Sequence, residues 1–206
     1  MSVKSRNQDV RAIILDAVDR LLARYGYQKM TMEDIARDAG LAKGTLYAYF
    51  SSKEEMALAT IDRTIGLLVE ELRKIAHGPG TPAERLQHML VHRILFLFDR
   101  TQEKSHALDD MYMALRPQYK AHRDRYVQSE AEVFAEVLAE GRQSGGFNVD
   151  DPLEVANEFI LATSTLTPFS LSVRELGERG WIERKIHRIS TLLIHGIARK
   201  NADMSA

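Results

Sequence analysis

The chain contains 206 residues, carries a formal net charge of −1 and has no cysteine. This length allows one or two domains with a sizeable hydrophobic core, and the lack of thiols excludes disulfides and thiolate metal sites. The longest uninterrupted apolar run, residues 94–98, is far shorter than the roughly 20 residues of a membrane-spanning helix, and the acidic residues near the N-terminus argue against a signal peptide. We therefore expect a cytoplasmic protein.

The first predicted helix covers residues 8–25. Apolar residues recur there at steps of three and four, which is the period of an amphipathic helix with one buried face. Gly26 is predicted to stop this helix, which would brace the segment that follows it. The residues of the apolar stripe are Val10, Ile13, Ile14, Ala17, Leu21 and Leu22.

A helix-turn-helix is predicted after this helix. Thr31 and Asp34 stand three residues apart, as in a capping box, in which a hydroxyl and a carboxylate accept hydrogen bonds from free backbone N–H groups at the start of a helix. This helix is expected over residues 32–39, and Gly40 ends it because a residue without Cβ enters the left-handed conformation without penalty. A second short helix is expected over residues 42–49.

The second helix of this pair has the side chains that binding in the major groove requires. Ala36, Gly40 and Leu46 are the small residue, the turn glycine and the apolar anchor at the spacing of a helix-turn-helix. Leu46 and Phe50 face inward, which leaves small residues, hydroxyls and Lys43 for the outer face. Small side chains allow close approach to DNA, and a lysine reaches phosphate or guanine. A helical hairpin inside an all-α core, without nucleic acid, remains the alternative for this spacing alone.

The residues around this pair form a more specific pattern. The segment YGYQKMTMEDIARDAGLAKGTLYAYFSSKEEM closely resembles the DNA-binding signature of the tetracycline-repressor (TetR) family, with a Thr-x-x-Asp-Ile-Ala opening, Ala-Gly-Leu at the turn and Gly-Thr-Leu-Tyr-x-Tyr-Phe on the recognition helix. The resemblance implies a homodimeric bacterial transcription regulator, usually a repressor, whose remaining helices bind a small inducer. Ala48 departs from the family pattern, which commonly has a larger residue there. The resemblance also implies DNA contacts at Thr31, Lys43, Gly44, Thr45, Tyr47, Tyr49 and Lys53.

Helical patterns fill the remainder of the chain. Arg116-Pro117 is expected to break one of these helices, because proline lacks a backbone N–H and clashes with the preceding turn. The sequence therefore predicts an all-α fold of about nine helices, with a three-helix helix-turn-helix domain over residues 1–52 and a helical ligand-binding and dimerisation domain over residues 53–206. The expected helices of this second domain cover residues 52–76, 81–100, 106–115, 117–141, 151–168 and 182–197.

Methionine and aromatic residues concentrate on the predicted helices between residues 81 and 141. They fit either a plain core or an adaptable apolar cavity; the residues alone favour the core, whereas the family resemblance implies a pocket. A small apolar or amphipathic molecule bound there would release the protein from a palindromic operator. The candidate lining residues are Met89, His92, Phe96, Met111, Leu115, Phe134, Phe159 and Thr163.

The last predicted helix carries an apolar stripe that must be buried against another surface. In the family that it resembles, a second copy of the last two helices buries this stripe in a four-helix interface. We therefore expect a homodimer. The candidate interface residues are Ile182, Ile186, Ile189, Leu193 and Ile197.

Two other classes of function remain open. Glu84, His88 and His92 recur every four residues on one helix face and could hold a divalent metal in a helical enzyme, although the sequence has no phosphate loop, dinucleotide fingerprint or nucleophile elbow. An exposed polar stripe is the simpler interpretation, so we expect no enzyme activity, no metal and no cofactor. The second alternative is a DNA-bound adaptor whose C-terminal domain binds a protein partner through an exposed apolar patch.

Overall fold

The computed structural model describes residues 3–102, 105–167 and 177–199. Within these ranges the chain forms eight α-helices and one short 3₁₀ helix, with no strand, so the predicted all-α fold is confirmed. The helices are α1 Val3–Lys29, α2 Met32–Asp38, α3 Lys43–Tyr49, α4 Lys53–Ala76, α5 Pro82–Gln102, α6 Ser105–Gln143, α7 Pro152–Thr163, the 3₁₀ helix Ser164–Leu166, and α8 Arg179–Ile197.

The chain divides into two compact units. The first, here called the N-terminal unit, comprises the residues up to Gly66 together with Arg100–His122. The second, the C-terminal unit, comprises Leu67–Asp99 and the residues from Arg123 onward. Helices α4, α5 and α6 each contribute residues to both units. The first division falls after Gly66, further along the chain than the predicted domain boundary after residue 52.

Helix α1 supplies much of the buried surface of the N-terminal unit. Ile14, Ala17, Leu21 and Leu22 of the predicted stripe are buried. Ile13, however, is 44% exposed, so the inward face is rotated relative to the prediction, and Leu15 and Val18 are buried as well. The predicted stop at Gly26 is confirmed, because this residue has a non-helical backbone with φ of 77° between the main helix and a last short turn.

Two ion pairs fasten α4 to α1 inside the N-terminal unit. The guanidinium of Arg63 donates through Nη1 to Asp16 Oδ1 and through Nη2 to Asp19 Oδ2, both at 2.6 Å. Exposed ion pairs contribute little to stability individually, but one guanidinium held by two carboxylates fixes geometry. Arg63 therefore sets the register of α4 against the helix that braces the helix-turn-helix.

The predicted break at Arg116-Pro117 is wrong. Helix α6 runs without interruption from Ser105 to Gln143 and includes Pro117. Proline in a helix interior removes one hydrogen bond and costs about 3 kcal/mol, but the two halves of this helix bury apolar side chains, including Met111 and Leu115 before the proline and Phe134 and Leu138 after it. Burial of these residues offsets the local cost, so the helix continues.

The loop after α6 is tied to the end of α8 in the C-terminal unit. Asn148 N donates to Ile197 O at 2.8 Å, and Arg199 N donates to Gly146 O at 3.0 Å. Gly141 lies so close to the ring of Phe147 that an added Cβ would stand 2.0 Å from Cδ2. Only glycine fits at position 141, and this contact places Phe147 against α6. The 3₁₀ helix extends α7 to Leu166, while Pro168, the predicted end of that helix, lies outside the described residues.

Candidate nucleic-acid interface and effector site

The start of α2 is held by the predicted capping box. Thr31 Oγ1 accepts a hydrogen bond from Asp34 N at 3.1 Å, and the Asp34 carboxylate accepts from Thr31 N at 3.2 Å and from the Thr31 hydroxyl at 2.6 Å. These hydrogen bonds, with the nearby Arg37 guanidinium, hold the pKa of Asp34 below its ordinary value of 3.8. The capping box is confirmed, and the hydroxyl of Thr31 is already committed to it.

The turn between α2 and α3 is a Schellman motif. Gly40 has φ of 66°, Gly40 N donates to Arg37 O at 3.2 Å, and Leu41 N donates to Ala36 O at 2.9 Å. This pair of bonds satisfies carbonyl groups at the end of α2 and requires a left-handed residue at the glycine. The turn directs α3 away from α2 at a fixed angle, with Leu46 fully buried as the anchor.

The outer face of α3 has the predicted profile. Lys43, Gly44, Tyr47 and Ala48 are exposed, and Tyr47 keeps 49% of its surface accessible. A Cβ at Gly44 would meet no atom within 4 Å, so this part of the helix presents bare backbone to the outside. The two predicted contacts on the flanks of α3, Thr45 and Tyr49, are half-buried. The exposed face combines one cation, one phenol and small residues, which suits close approach to the base edges of a duplex.

Lys53, at the start of α4, binds the end of α1 as well as being a predicted DNA contact. Its Nζ donates to Tyr27 O at 3.1 Å and lies 4.4 Å from the centre of the Tyr27 ring. The Tyr27 hydroxyl donates to Glu54 Oε1 at 3.2 Å. Burial first, and then the Glu54 charge, raise the pKa of Tyr27 to about 12. This cluster fixes the first turn of α4 beside the helix-turn-helix.

Arg11 is a cation near the recognition helix that the sequence did not reveal. Its guanidinium carbon lies 4.3 Å from the centre of the Phe50 ring, directly after the end of α3, and the side chain is exposed. Phe50 itself is buried and caps α3 through its backbone N–H, which donates to Leu46 O. Only the folded chain brings Arg11 to this place, because 39 positions of sequence separate it from Phe50.

The candidate effector residues divide between the two units. Met111 and Leu115 belong to the N-terminal unit and the other six to the C-terminal unit. Six of the eight are buried, and His92 and Phe96 are half-buried with ring centroids 5.7 Å apart. The buried atom His92 Nε2 has no hydrogen-bond partner, and desolvation lowers the pKa of this imidazole below 6.5 although the Glu71 charge opposes the shift.

A buried charged pair lies among the candidate effector residues of the C-terminal unit. Arg93 Nε donates to Glu130 Oε2, and Arg93 Nη1 donates to Thr163 Oγ1 at 3.4 Å. The Thr163 hydroxyl in turn donates to Phe159 O at 2.8 Å. Sequence reasoning singled out Thr163 but missed Arg93 and Glu130. The available signal was an arginine directly followed by the apolar run Ile94–Phe98 of α5.

Two hollows in the C-terminal unit are lined by other residues. One, of about 440 Å³, is formed by residues that include Thr81, Gln87, Phe147, Ile194 and His195. The other is a shallow hollow on the exposed side of α7. Neither contains a candidate effector residue, so the predicted pocket stays a prediction.

Comparison with known proteins decides the family. Residues 14–60 match the family of bacterial regulatory proteins, tetR family, and residues 82–189 match the tetracyclin repressor-like C-terminal domain. The chain belongs to the TetR family. It is therefore a helix-turn-helix transcription regulator, and the two matches fall on its N-terminal helix-turn-helix segment and on most of the helices that follow α4.

Individual relatives are regulators, and each match covers most of both chains. The chain is 28% identical over 160 residues to the HTH-type transcriptional repressor KstR2 of Mycobacterium tuberculosis, covering 75% of this chain and 77% of KstR2. It is 25% identical to the fatty acid metabolism regulator protein of Bacillus subtilis, covering 73% and 77% of the two chains. The fold resembles that of FadR from Bacillus subtilis in complex with stearoyl-CoA, with a TM-score of 0.66 at 21% identity, covering 90% and 98% of the chains.

The TetR-family dimer residues predicted from α8 do not all face outward. Ile182 and Ile186 are fully buried within the subunit and serve its core, whereas Ile189, Leu193 and Ile197 are half-buried. The apolar side chains exposed on the last two described helices are instead Leu153 and Leu161 of α7 and Trp181 and Leu192 of α8, with Leu161 and Leu192 64% and 72% exposed.

The possible metal stripe on α5 has another explanation in this TetR-family chain. Glu84 accepts hydrogen bonds from Thr81 N at 2.8 Å and Thr81 Oγ1 at 2.9 Å, so its carboxylate caps the helix. In the part of the chain that the structure describes, no three side chains of metal-binding type cluster together. None of the described helices is both long and apolar enough to cross a membrane.

Proposed function

We propose that this chain is a dimeric repressor that binds a palindromic operator through α3 and leaves it when an acyl ligand enters the C-terminal unit. The observation that carries the proposal is the exposed α3 face, which the Schellman turn at Gly40 and the buried anchor Leu46 hold in a fixed orientation. We propose a cytoplasmic location, where the operator is.

The DNA contacts are proposed to fall into two groups. Tyr47 and Thr45, on α3, would contact base edges and so contribute sequence preference. Lys43, Lys53 and Arg11 would contact phosphates, which gives affinity that depends on salt and carries no sequence information. Thr31 would act mainly by capping α2, because its hydroxyl already donates to Asp34.

The effector is proposed to be a fatty-acyl thioester or a molecule of similar chemistry. Similarity to the fatty acid metabolism regulator protein of Bacillus subtilis supports this class, as does the fold shared with FadR of the same organism, which was solved in complex with stearoyl-CoA. The C-terminal unit offers a matching interior, because Met89, Phe134 and Phe159 are buried apolar side chains and Arg93 and Thr163 supply polar groups among them.

Dimerisation is proposed through the exposed faces of α7 and α8. The α7 face carries Glu154 and Glu158 beside Leu161, and the α8 face carries Arg184 and Arg188 near Leu192; all six are exposed. A two-fold axis brings α7 of one subunit against α8 of the other in an isologous interface. The acidic and basic faces would then be complementary, with the exposed leucines at the centre.

Release from DNA requires that the ligand bind one subunit geometry more tightly than another. In the DNA-bound geometry the two recognition helices must match successive major grooves about 34 to 36 Å apart. Helix α4 is the proposed link, because it begins beside α3 at Lys53 and contributes its second half to the C-terminal unit. Reversing a 99:1 preference needs about 5.5 kcal/mol of differential binding.

Selection of the operator from random duplexes, followed by titration with stearoyl-CoA, tests this function. The purified chain should enrich a palindrome, and stearoyl-CoA should lower its affinity for that palindrome. If a palindrome is enriched but acyl thioesters do not change the affinity for it, the proposed effector class is wrong. If no sequence is enriched, the proposed repressor function is wrong.

A further inference from the structure

The buried pair formed by Arg93 and Glu130 lies outside the DNA-contacting residues and the dimer surface proposed above. The two side chains are only 5% and 3% exposed, and they belong to α5 and α6 of the C-terminal unit. Arg93 also reaches Thr163 of α7 at 3.4 Å. One guanidinium thus connects three helices in the interior of the C-terminal unit.

Stability does not explain this pair. Taking two charges out of water carries a large desolvation penalty, and apolar residues of similar volume commonly replace a buried ion pair with no loss of stability. A chain that needed only a packed core at this place could use methionine or leucine at both positions. The pair therefore suggests recognition of a polar group.

The pair adjoins the proposed effector residues. Met89 precedes Arg93 by one helical turn on α5, and Phe134 follows Glu130 by one turn on α6, so each lies on the same helix face as the charge. Met89 and Phe134 are fully buried. A chain of methylene groups that packs against these two side chains would bring a polar end group to the guanidinium.

The net charge of the pair selects the kind of polar group. Arg93 and Glu130 neutralise each other, so a free carboxylate placed beside them would be a buried charge without a partner, which is costly. A neutral carbonyl oxygen accepts a hydrogen bond from the guanidinium, which has five N–H donors, and adds no net charge. We propose that Arg93 and Glu130 recognise the neutral carbonyl of an acyl thioester or ester and exclude the corresponding free fatty acid.

This inference rests on the proposed acyl effector and adds which end group of that effector is recognised. In Glu130→Gln the guanidinium keeps its charge but loses the neutralising carboxylate. The site then has a net positive charge, and the free acid becomes its preferred ligand. The preference between acid and ester should therefore be reversed by one change of a carboxylate to its amide.

The matched control removes both charges. Arg93→Met with Glu130→Met keeps similar volumes and leaves no unpaired charge, so the fold is retained even if Glu130→Gln alone is unstable. This double variant should still prefer methyl laurate to laurate, because the carboxylate of laurate would again be buried without a partner. It should bind the ester more weakly than the wild type does, because the guanidinium that donates to the carbonyl is gone. Its operator affinity without ligand should equal that of the wild type.

The experiment measures binding of laurate, methyl laurate and lauroyl-CoA by calorimetry, and operator release by fluorescence anisotropy, for the wild type and both variants. The wild type should bind the ester and the thioester at least about tenfold more tightly than laurate, and Glu130→Gln should shift this ratio far enough that it binds laurate more tightly than methyl laurate. The double variant should keep the preference for the ester but bind methyl laurate about tenfold more weakly than the wild type.

Three results would overturn the inference: equal binding of laurate and methyl laurate by the wild type, an unchanged ratio in Glu130→Gln, or no binding of any of the three probes. The first two leave the repressor function in place if lauroyl-CoA still releases the wild type from its operator. Failure of the wild type to bind any operator would instead refute the proposed function.

Discussion

Lys53 Nζ lies 4.4 Å from the centre of the Tyr27 ring and donates a hydrogen bond to the Tyr27 carbonyl oxygen at 3.1 Å. The residue proposed to contact a phosphate is therefore also the residue that fastens the first turn of α4 to the end of α1. A lysine held in place loses less conformational entropy when it binds a phosphate, because its side chain is already ordered.

Lys53→Ala should weaken binding to all DNA sequences by a similar factor. One phosphate contact contributes about one unit to the slope of log affinity against log salt, so the slope should fall by about one. A salt titration with operator and non-operator duplexes measures both quantities. Weaker binding with an unchanged slope would show that Lys53 acts only by holding Tyr27.

Arg11→Ala should have the same kind of effect. The guanidinium is exposed beside the end of α3, so its loss should lower affinity for operator and non-operator DNA alike and reduce the salt slope by about one. Arg24, which lies over the ring of Tyr25 on the same helix, provides the matched control for loss of one cation. Equal slopes for Arg11→Ala and the wild type would remove Arg11 from the interface.

Gly40→Ala and Gly44→Ala should change stability in opposite directions. Gly40 has φ of 66°, so a side chain there is strained, and the variant should lose about 1 kcal/mol of unfolding free energy. Gly44 is helical with open space around it, and alanine there should add about 0.5–1 kcal/mol while weakening DNA binding. Urea unfolding and operator titration measure the two effects. A stabilised Gly40→Ala variant would contradict the turn assignment.

Leu192→Glu should produce monomers. Leu192 is 72% exposed on α8, and a carboxylate at the centre of the proposed interface would be desolvated without a partner on dimerisation. Met113→Glu, at a side chain that is 78% exposed on α6 of the N-terminal unit, is the control and should remain dimeric. Sedimentation at micromolar concentration distinguishes the two; a dimeric Leu192→Glu variant would exclude this surface.

Acid should destabilise the wild type more than a His92→Gln variant. Burial lowers the pKa of His92 below 6.5 in the folded chain, so the unfolded chain binds the proton more readily. The stability associated with neutral His92 is thus present above pH 6.5 and is lost as the pH falls through the folded pKa. Urea unfolding of both proteins between about pH 8 and about pH 5 measures the difference; parallel curves would show that His92 is not desolvated.

The helix-turn-helix could be predicted from sequence because its signals are local. The Thr31–Asp34 box and the Gly40 turn each depend on residues within a few positions of one another, and both are present as expected. Pro117 is also a local signal, but burial on both sides of it keeps α6 continuous, so tertiary packing overrides the break.

The other parts of the candidate sites depend on contacts that no local pattern encodes. Arg93 and Glu130 are 37 positions apart, and only the packing of α5 against α6 joins them. The stripe from Ile182 to Ile197 was correctly identified as apolar, but periodicity does not say whether a stripe meets its own subunit or a partner. The structure buries Ile182 and Ile186 in the subunit, which moves the proposed interface to the opposite face of α8.

The most direct test of the central claim is operator binding by a variant in which Lys43, Thr45 and Tyr47 are all replaced by alanine. Alanine favours the helix and none of the three side chains is buried, so the variant should keep the helical circular dichroism and dimeric mass of the wild type. Fluorescence anisotropy with the selected palindrome should show that the wild type binds it specifically and that the variant binds it no better than random duplex. A folded, dimeric variant with wild-type affinity for the palindrome would contradict the assignment of α3 as the recognition helix.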